Sequence, residues 1–76
     1  MKEAFLLINC DLGKEHQVVN NLQSLGEIKE AQAIQGIYNV IAKLETNTEQ
    51  EINNIIHSEV LEIKPIHSVL TLWAQD

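Results

Sequence analysis

Two short runs of apolar residues, one near each end of the chain, constrain its fold most strongly. The first, AFLLINC, spans residues 4–10, and the second, IHSVLTLWA, spans residues 66–74. Both are far shorter than the roughly 20 residues of a membrane-spanning helix, and both are typical of β-strands. Because side chains alternate between the two faces of a strand, Phe5 lies opposite Leu6. Both faces of the predicted sheet are therefore apolar, and both need a cover.

Two helices and two further strands are predicted between these runs. Helical spacing of apolar residues places a helix over residues 14–25, and a capping box that begins at Thr48 starts a second one. The second helix cannot continue through Pro65. Alternating and β-branched residues predict the middle strands over residues 27–35 and 38–45. The predicted order of elements is βαββαβ.

This order predicts a ferredoxin-like α+β fold, with an antiparallel four-stranded sheet and two helices on one face. The 76 residues leave room for one domain, over residues 1–76. Two helices cover only one face of the sheet, so the other apolar face is left open. An exposed apolar face of this kind usually marks a partner surface. We therefore expect a homodimer in which two copies pack sheet to sheet.

Charge and cysteine content exclude several classes of function. The formal net charge is −6, and the five basic residues are scattered lysines without any arginine, which disfavours direct binding of nucleic acid or of an anionic membrane surface. Cys10 is the single cysteine, so an internal disulfide or a cysteine-based metal cluster is impossible. No two histidines have a metal-ligand spacing. Without a convincing signal peptide, we expect a cytoplasmic protein with no cofactor.

The turn in QGIYNVIAKLE, residues 35–45, differs from a simple hairpin turn. Gly36 allows the backbone to turn sharply and to expose its peptide groups. Tyr38 adds an aromatic wall with a polar tip, and Asn39 adds an amide. These residues either serve the turn alone or form a small binding site.

Taken together, these segments resemble the effector-binding domain of the Lrp/AsnC family of transcription regulators, also called the RAM domain. The likeness extends from Ala4 to Trp73. GIYNVIAKLE is similar to the family's Gly-x-Tyr/Phe-Asp-hydrophobic turn, GKEHQVVNNL to its first helix, and SVLTL to its last strand. Each motif is short, and their shared order and spacing make the likeness specific.

The resemblance implies sheet-to-sheet homodimers that assemble into rings, often octamers or decamers. It also implies that a free amino acid, or a related metabolite, binds where dimers meet, against the turn between the second and third strands. The ligand-binding residues expected on this basis are Gly36, Ile37, Tyr38, Asn39 and Thr71. Two departures weaken the expectation of an ordinary α-amino acid. The family often has Asp where this chain has Asn39, and a Thr is common at the position of Val69.

Regulators of this family carry their own N-terminal helix-turn-helix domain, whereas the first strand here begins close to Met1. The resemblance therefore implies a stand-alone module without a DNA-binding domain. Such a module would modulate transcription by co-assembling with a full-length Lrp/AsnC-type regulator.

Three alternatives remain open. A small dimeric α+β barrel enzyme, of the monooxygenase or isomerase type, needs a sheltered acid or base, and His67 is the best candidate. No nucleophile paired with a base and no phosphate loop are recognisable, so we expect no enzyme and no catalytic residue. An ACT-like domain has the same strand order, but its Gly-rich turn after the first strand is missing. A ligand-free assembly module would use the same residues as a ligand sensor.

Overall fold

Four strands form one antiparallel sheet in the computed structural model, which describes residues 1–75. They are β1 (Lys2–Cys10), β2 (Ile28–Ala33), β3 (Val40–Thr46) and β4 (Ile66–Trp73), and their order across the sheet is β2-β3-β1-β4. The two long connections each contain a helix, and the β2–β3 connection is a hairpin. This is the predicted ferredoxin-like α+β fold.

The two helices begin and end by local rules. Helix α1 spans Glu15–Gln23 and helix α2 spans Glu49–Ile55. Thr48 is the N-cap of α2, because its Oγ1 accepts a hydrogen bond of 3.2 Å from the backbone N–H of Glu51. The N-cap predicted at Thr48 is thereby confirmed, and the Thr48 hydroxyl donates to Oε1 of Glu51 over 3.3 Å, in place of the backbone N–H bond that would complete a capping box.

The segment after α2 differs from the single helix predicted up to Pro65. Residues Ile56–Val60 form a π-helical turn, and the N–H of Leu61 donates to the carbonyl of Ile56 over 2.9 Å. This wider turn keeps Ile56 and Val60 buried and ends the helix there. Ile63 packs against the core from the connection that follows, so its helical spacing reflects burial rather than helix.

The core lies between the sheet and the helices. On β1 the buried residues alternate with half-buried or exposed ones, because the helices cover only one of its two apolar faces. The same face of β3 is buried, and α1 and α2 cover it with aliphatic side chains. The fully buried large side chains are Leu6, Ile8, Val18, Leu22, Val40, Leu44, Ile52 and Val60. We call this side of the sheet the helix face and the opposite side the open face.

Neither helix within residues 1–75 has both the length and the apolar character needed to cross a membrane.

Candidate functional site

The β2–β3 loop, residues 34–39, carries four of the five ligand-binding residues predicted from the sequence. Gly36 has φ +147°, a conformation that side chains with a Cβ rarely adopt, and a Cβ placed there would meet no atom within 4 Å. Ile37 is 87% exposed at the loop tip, and Tyr38 is half-buried beside it. The loop is therefore open, and its backbone and one aliphatic side chain face outward.

Asn39 ties this loop to the end of β1. Its side-chain Oδ1 accepts a hydrogen bond of 2.9 Å from the backbone N–H of Cys10. Its own N–H donates to the carbonyl of Ile8 over 2.9 Å, and its carbonyl accepts from the N–H of Ile34 over 2.8 Å. The sequence predicted that the third strand begins at residue 38, and these bonds explain why β3 begins at Val40 instead. The N–H of Asn39 is directed to β1 and its carbonyl to Ile34, whereas a residue in an antiparallel strand directs both groups to the same neighbour, so Tyr38 and Asn39 belong to the loop.

A second set of contacts joins β1 to β4 at the same end of the sheet. The N–H of Asp11 donates to the carbonyl of Pro65 over 2.9 Å, and the Asp11 carboxylate contacts Nε2 of His67. Cys10 pairs with Ile66, and the next pair joins residues 9 and 68, so His67 is the extra residue of a β-bulge. The bulge turns His67 outward, and more than half of its side-chain surface is exposed. A sheltered catalytic histidine is not found at this position.

Thr71 lies away from the other predicted site residues within one chain. It pairs with Leu6, which in turn pairs with Ala42, so its side chain lies on the helix face. Two strand spacings and three residues along the sheet separate it from Asn39, about 14 Å for ordinary sheet dimensions. Within one chain, Thr71 and the β2–β3 loop therefore do not form a single site.

The open face carries a continuous apolar patch, which we call the open-face patch. It lies on β1, β3 and β4, where Leu7 pairs with both Ile41 and Leu70, and Phe5 pairs with Leu72. Leu70 is 44% and Leu72 46% exposed, although both are large aliphatic side chains. A single chain therefore leaves an apolar face of its sheet partly exposed to water.

One corner of the open face is charged. Lys43 of β3 lies between two carboxylates, 3.4 Å from Oε2 of Glu3 and 3.6 Å from Oε2 of Glu45. The hydrogen bond and the negative charge of Glu3 raise the pKa of Lys43. Glu3 and Glu45 are direct cross-strand neighbours, so Lys43 offsets the repulsion between them. The sequence did not single out this cluster, because the register that brings the three residues together is not visible in the chain.

The chemistry available at these places favours binding over catalysis. A shallow depression of about 90 Å³ lies on the open face between Phe5, Gln32 and Lys43, not at the β2–β3 loop. Among the described residues no group of three or more His, Cys, Asp or Glu side chains is arranged to hold a metal ion. Burial is the main cause that raises the pKa of Cys10, followed by the negative charges of Glu15 and Asp11, so its thiol is a poor nucleophile.

The sequence and the fold were compared with those of known proteins. No family model matches the sequence. The chain is 28% identical over 71 residues to an HTH-type transcriptional regulator, FL11, from Pyrococcus horikoshii. The match includes 91% of this chain and 47% of that regulator, so the chain spans about half the length of this curated relative.

Solved structures extend the comparison. The crystal structure of FFRP-DM1 superimposes with a TM-score of 0.93 at 32% identity, over 99% of this chain and 100% of that one. Escherichia coli AsnC gives a TM-score of 0.92 at 21% identity, over 99% of this chain and 51% of that one. A transcriptional regulator of Neisseria meningitidis, solved in complex with L-Met, gives a TM-score of 0.85 at 9% identity, over 99% of this chain and 50% of that one.

At 21% and 9% identity, AsnC and the Neisseria regulator show a shared fold. The 32% identity to FFRP-DM1 extends over the whole of that chain and adds a relationship in sequence. The fold, the hairpin at Gly36 and these relatives agree with the likeness noted in the sequence. The chain belongs to the Lrp/AsnC family of transcription regulators and has the fold of their RAM domain.

Proposed function

We propose that this chain is a small-molecule-sensing and oligomerisation module that modulates transcription in the cytoplasm together with an Lrp/AsnC-type regulator. The observation that carries the proposal is the match of nearly the whole chain to about half of each of three longer regulators. One of these, from Neisseria meningitidis, is in complex with L-Met. An amino acid, or a related metabolite, is the ligand class that this relationship favours.

The open-face patch supports the first part of the proposed function, which is oligomerisation. A stable interface buries about 800 Å² on each partner. That area is about one sixth of the 4795 Å² surface of this chain. A second copy supplies a matching apolar face under two-fold symmetry, because the same patch is present on both subunits. The proposed unit is a homodimer, and rings of four or five dimers are the proposed larger form.

The β2–β3 loop supports the second part of the proposed function, which is ligand binding. Gly36 and Ile37 expose backbone donors and acceptors, while Tyr38 provides a half-buried wall. Thr71 is proposed to enter the site from another subunit, since its own subunit holds it too far from the loop. A full-length regulator with the same fold presents an equivalent surface, so mixed assembly with such a regulator is the proposed route to DNA.

Two measurements test these halves separately. Light scattering over a dilution series tests assembly, and a folded monomer of 8.6 kDa at micromolar concentration would contradict it. A thermal-shift screen against the twenty amino acids tests sensing. A ligand at 100 times its Kd adds about 2.7 kcal/mol to the free energy of unfolding. If dimers form and no amino acid shifts the melting temperature, the chain is a ligand-free assembly module.

A further inference from the structure

The hydrogen bonds of Asn39 fix which end of its side-chain amide is available to a ligand. The backbone N–H of Cys10 needs an acceptor, and the amide oxygen Oδ1 of Asn39 supplies it at 2.9 Å. An amide carries an acceptor oxygen on one side and an NH₂ group with two donors on the other. The orientation of the Asn39 amide therefore follows from the Cys10 N–H, which cannot accept a hydrogen bond.

The NH₂ group of Asn39 is directed away from this contact. Among residues 1–75 no hydrogen-bond partner is found for the Nδ2 atom of Asn39. Every side-chain nitrogen or oxygen that is buried among the described residues has a hydrogen-bond partner, so the Nδ2 atom is not buried. Since Asn39 is only half-buried, its Nδ2 reaches solvent next to Tyr38. Position 39 thus presents donors to the outside and keeps its acceptor inside.

The charges around this end of the sheet suit a neutral donor. Glu15 and Asp11 lie close enough to Cys10 for their negative charges to raise the pKa of its thiol, after burial. The Asp11 carboxylate also contacts His67. A carboxylate at position 39 would add a third negative charge here, whereas the amide of Asn39 binds the same backbone N–H without charge.

From this geometry we infer that Asn39 determines ligand specificity by donating a hydrogen bond to an acceptor oxygen of the ligand. A neutral carbonyl oxygen is recognised at this point, because the charges of Asp11 and Glu15 disfavour a ligand carboxylate as they disfavour a carboxylate at position 39. An ammonium group is not recognised, because the NH₂ group of Asn39 can only donate. The inference rests on the proposed function of the β2–β3 loop as a ligand site, and it adds the chemistry of one contact. The ammonium group of an amino acid must then be bound elsewhere, by backbone carbonyls of the loop or by another subunit.

The anchoring of the amide can be tested without any ligand. Asn39→Ala removes the acceptor for the Cys10 N–H, and Asn39→Asp keeps an acceptor and removes the donors. Hydrogen exchange of the Cys10 amide should be at least about tenfold faster in Asn39→Ala, in line with the loss of one hydrogen bond. It should be unchanged in Asn39→Asp and in the control Asn20→Asp on the exposed side of α1. Unchanged exchange in Asn39→Ala would overturn the inference.

The donor role is tested with three small probes: acetate, acetamide and methylammonium. In nuclear magnetic resonance titrations of the full chain, the Asn39 side-chain NH₂ signals should shift with acetamide, less with acetate and not with methylammonium. A larger shift with acetate than with acetamide would overturn the preference for a neutral carbonyl oxygen. In Asn39→Asp, the Tyr38 backbone signals should respond to methylammonium and no longer to acetate, while Asn20→Asp should behave as the native chain.

The outcomes separate this inference from the proposed function. A response of native Asn39 to methylammonium, or to none of the probes, overturns the inference. If the thermal screen finds an amino acid that binds without moving the Asn39 signals, the sensing role stands and the donor role is overturned. If acetamide moves these signals and no amino acid binds, the donor role stands and the sensing role is overturned.

Discussion

The helix face and the open face of the sheet are built from the same strands, yet their surroundings differ completely. Leu6 on the helix face is fully buried, whereas Leu72 on the open face is 46% exposed. Both are leucines on neighbouring strands, separated by one position in the register. The helix face is covered by α1 and α2, and the chain contains nothing further that covers the open face within residues 1–75.

The difference shows how one chain can carry two kinds of apolar surface. The helix face obtains its cover within the chain and provides the core. The open face has no cover within the described residues, and in the proposed homodimer its apolar residues would serve assembly more than the stability of one subunit. A monomer of this size buries only about 60% of its unfolded surface, so the added burial in the proposed dimer would be important for stability.

The largest expected effect compares one leucine from each face. Leu6→Ala should lower the free energy of unfolding by about 2–5 kcal/mol, because a fully buried side chain leaves a cavity between sheet and helices. Leu72→Ala should cost less, and its cost should arise from a weaker dimer. Urea unfolding at several protein concentrations measures both, with Leu6→Val as a milder variant in case Leu6→Ala does not fold. Equal losses for the two alanine variants would contradict the division between the faces.

A charge on the open face should separate assembly from folding. Leu70→Lys places an ammonium in the middle of the proposed interface, where its removal from water has no compensating partner. The Kd of the dimer should rise at least about 100-fold, which corresponds to about 2.7 kcal/mol. Light scattering measures the loss of the dimer, and circular dichroism shows whether the secondary structure is kept.

The matched control for this variant is Gln17→Lys, which adds the same charge on the exposed side of α1. It should leave the dimer unchanged. If Leu70→Lys remains a dimer at micromolar concentration, the open face is not the interface, and the proposed assembly must use another surface.

Most of the fold could be predicted from the sequence because its signals are local. Alternation in residues 4–10 places Leu6 and Ile8 on one face and Phe5 on the other, and the capping box at Thr48 marks the start of α2. The π-helical turn at Ile56–Val60 could not be predicted, because its apolar spacing also fits an α-helix. Only the packing against the sheet decides between the two.

The candidate site was less predictable because its contacts are not local. Gly36 could be identified as the turn residue, and its φ of +147° agrees with that role. The hydrogen bond from Cys10 to Asn39 joins residues 29 positions apart, and the sequence alone gives Asn39 no partner. The position of Thr71 likewise depends on the order of β1 and β4 in the sheet. Register and strand order therefore decide which of the predicted site residues lie together.

The smallest expected effect concerns Lys43 at the charged corner of the open face. Its pKa is raised above the ordinary value of 10.5, first by the hydrogen bond to Glu3 and also by the charges of Glu3, Glu45 and Glu30. A raised pKa means that the folded state holds this proton more tightly than the unfolded chain does. The resulting stability is fully present below pH 10.5 and is lost as the pH rises through the higher folded value.

The variant Lys43→Gln should therefore have a lower melting temperature than the native chain at neutral pH, and this gap in melting temperature should close above pH 10.5. Melting curves of both proteins between pH 7 and 12 measure this gap, and the paired comparison removes the effects of pH that the two proteins share. High salt should narrow the gap at neutral pH, because the ion pairs are solvent-exposed. A gap that stays constant with both pH and salt would mean that Lys43 contributes through its aliphatic stem beside Phe5, as part of the open-face patch, and not through its charge.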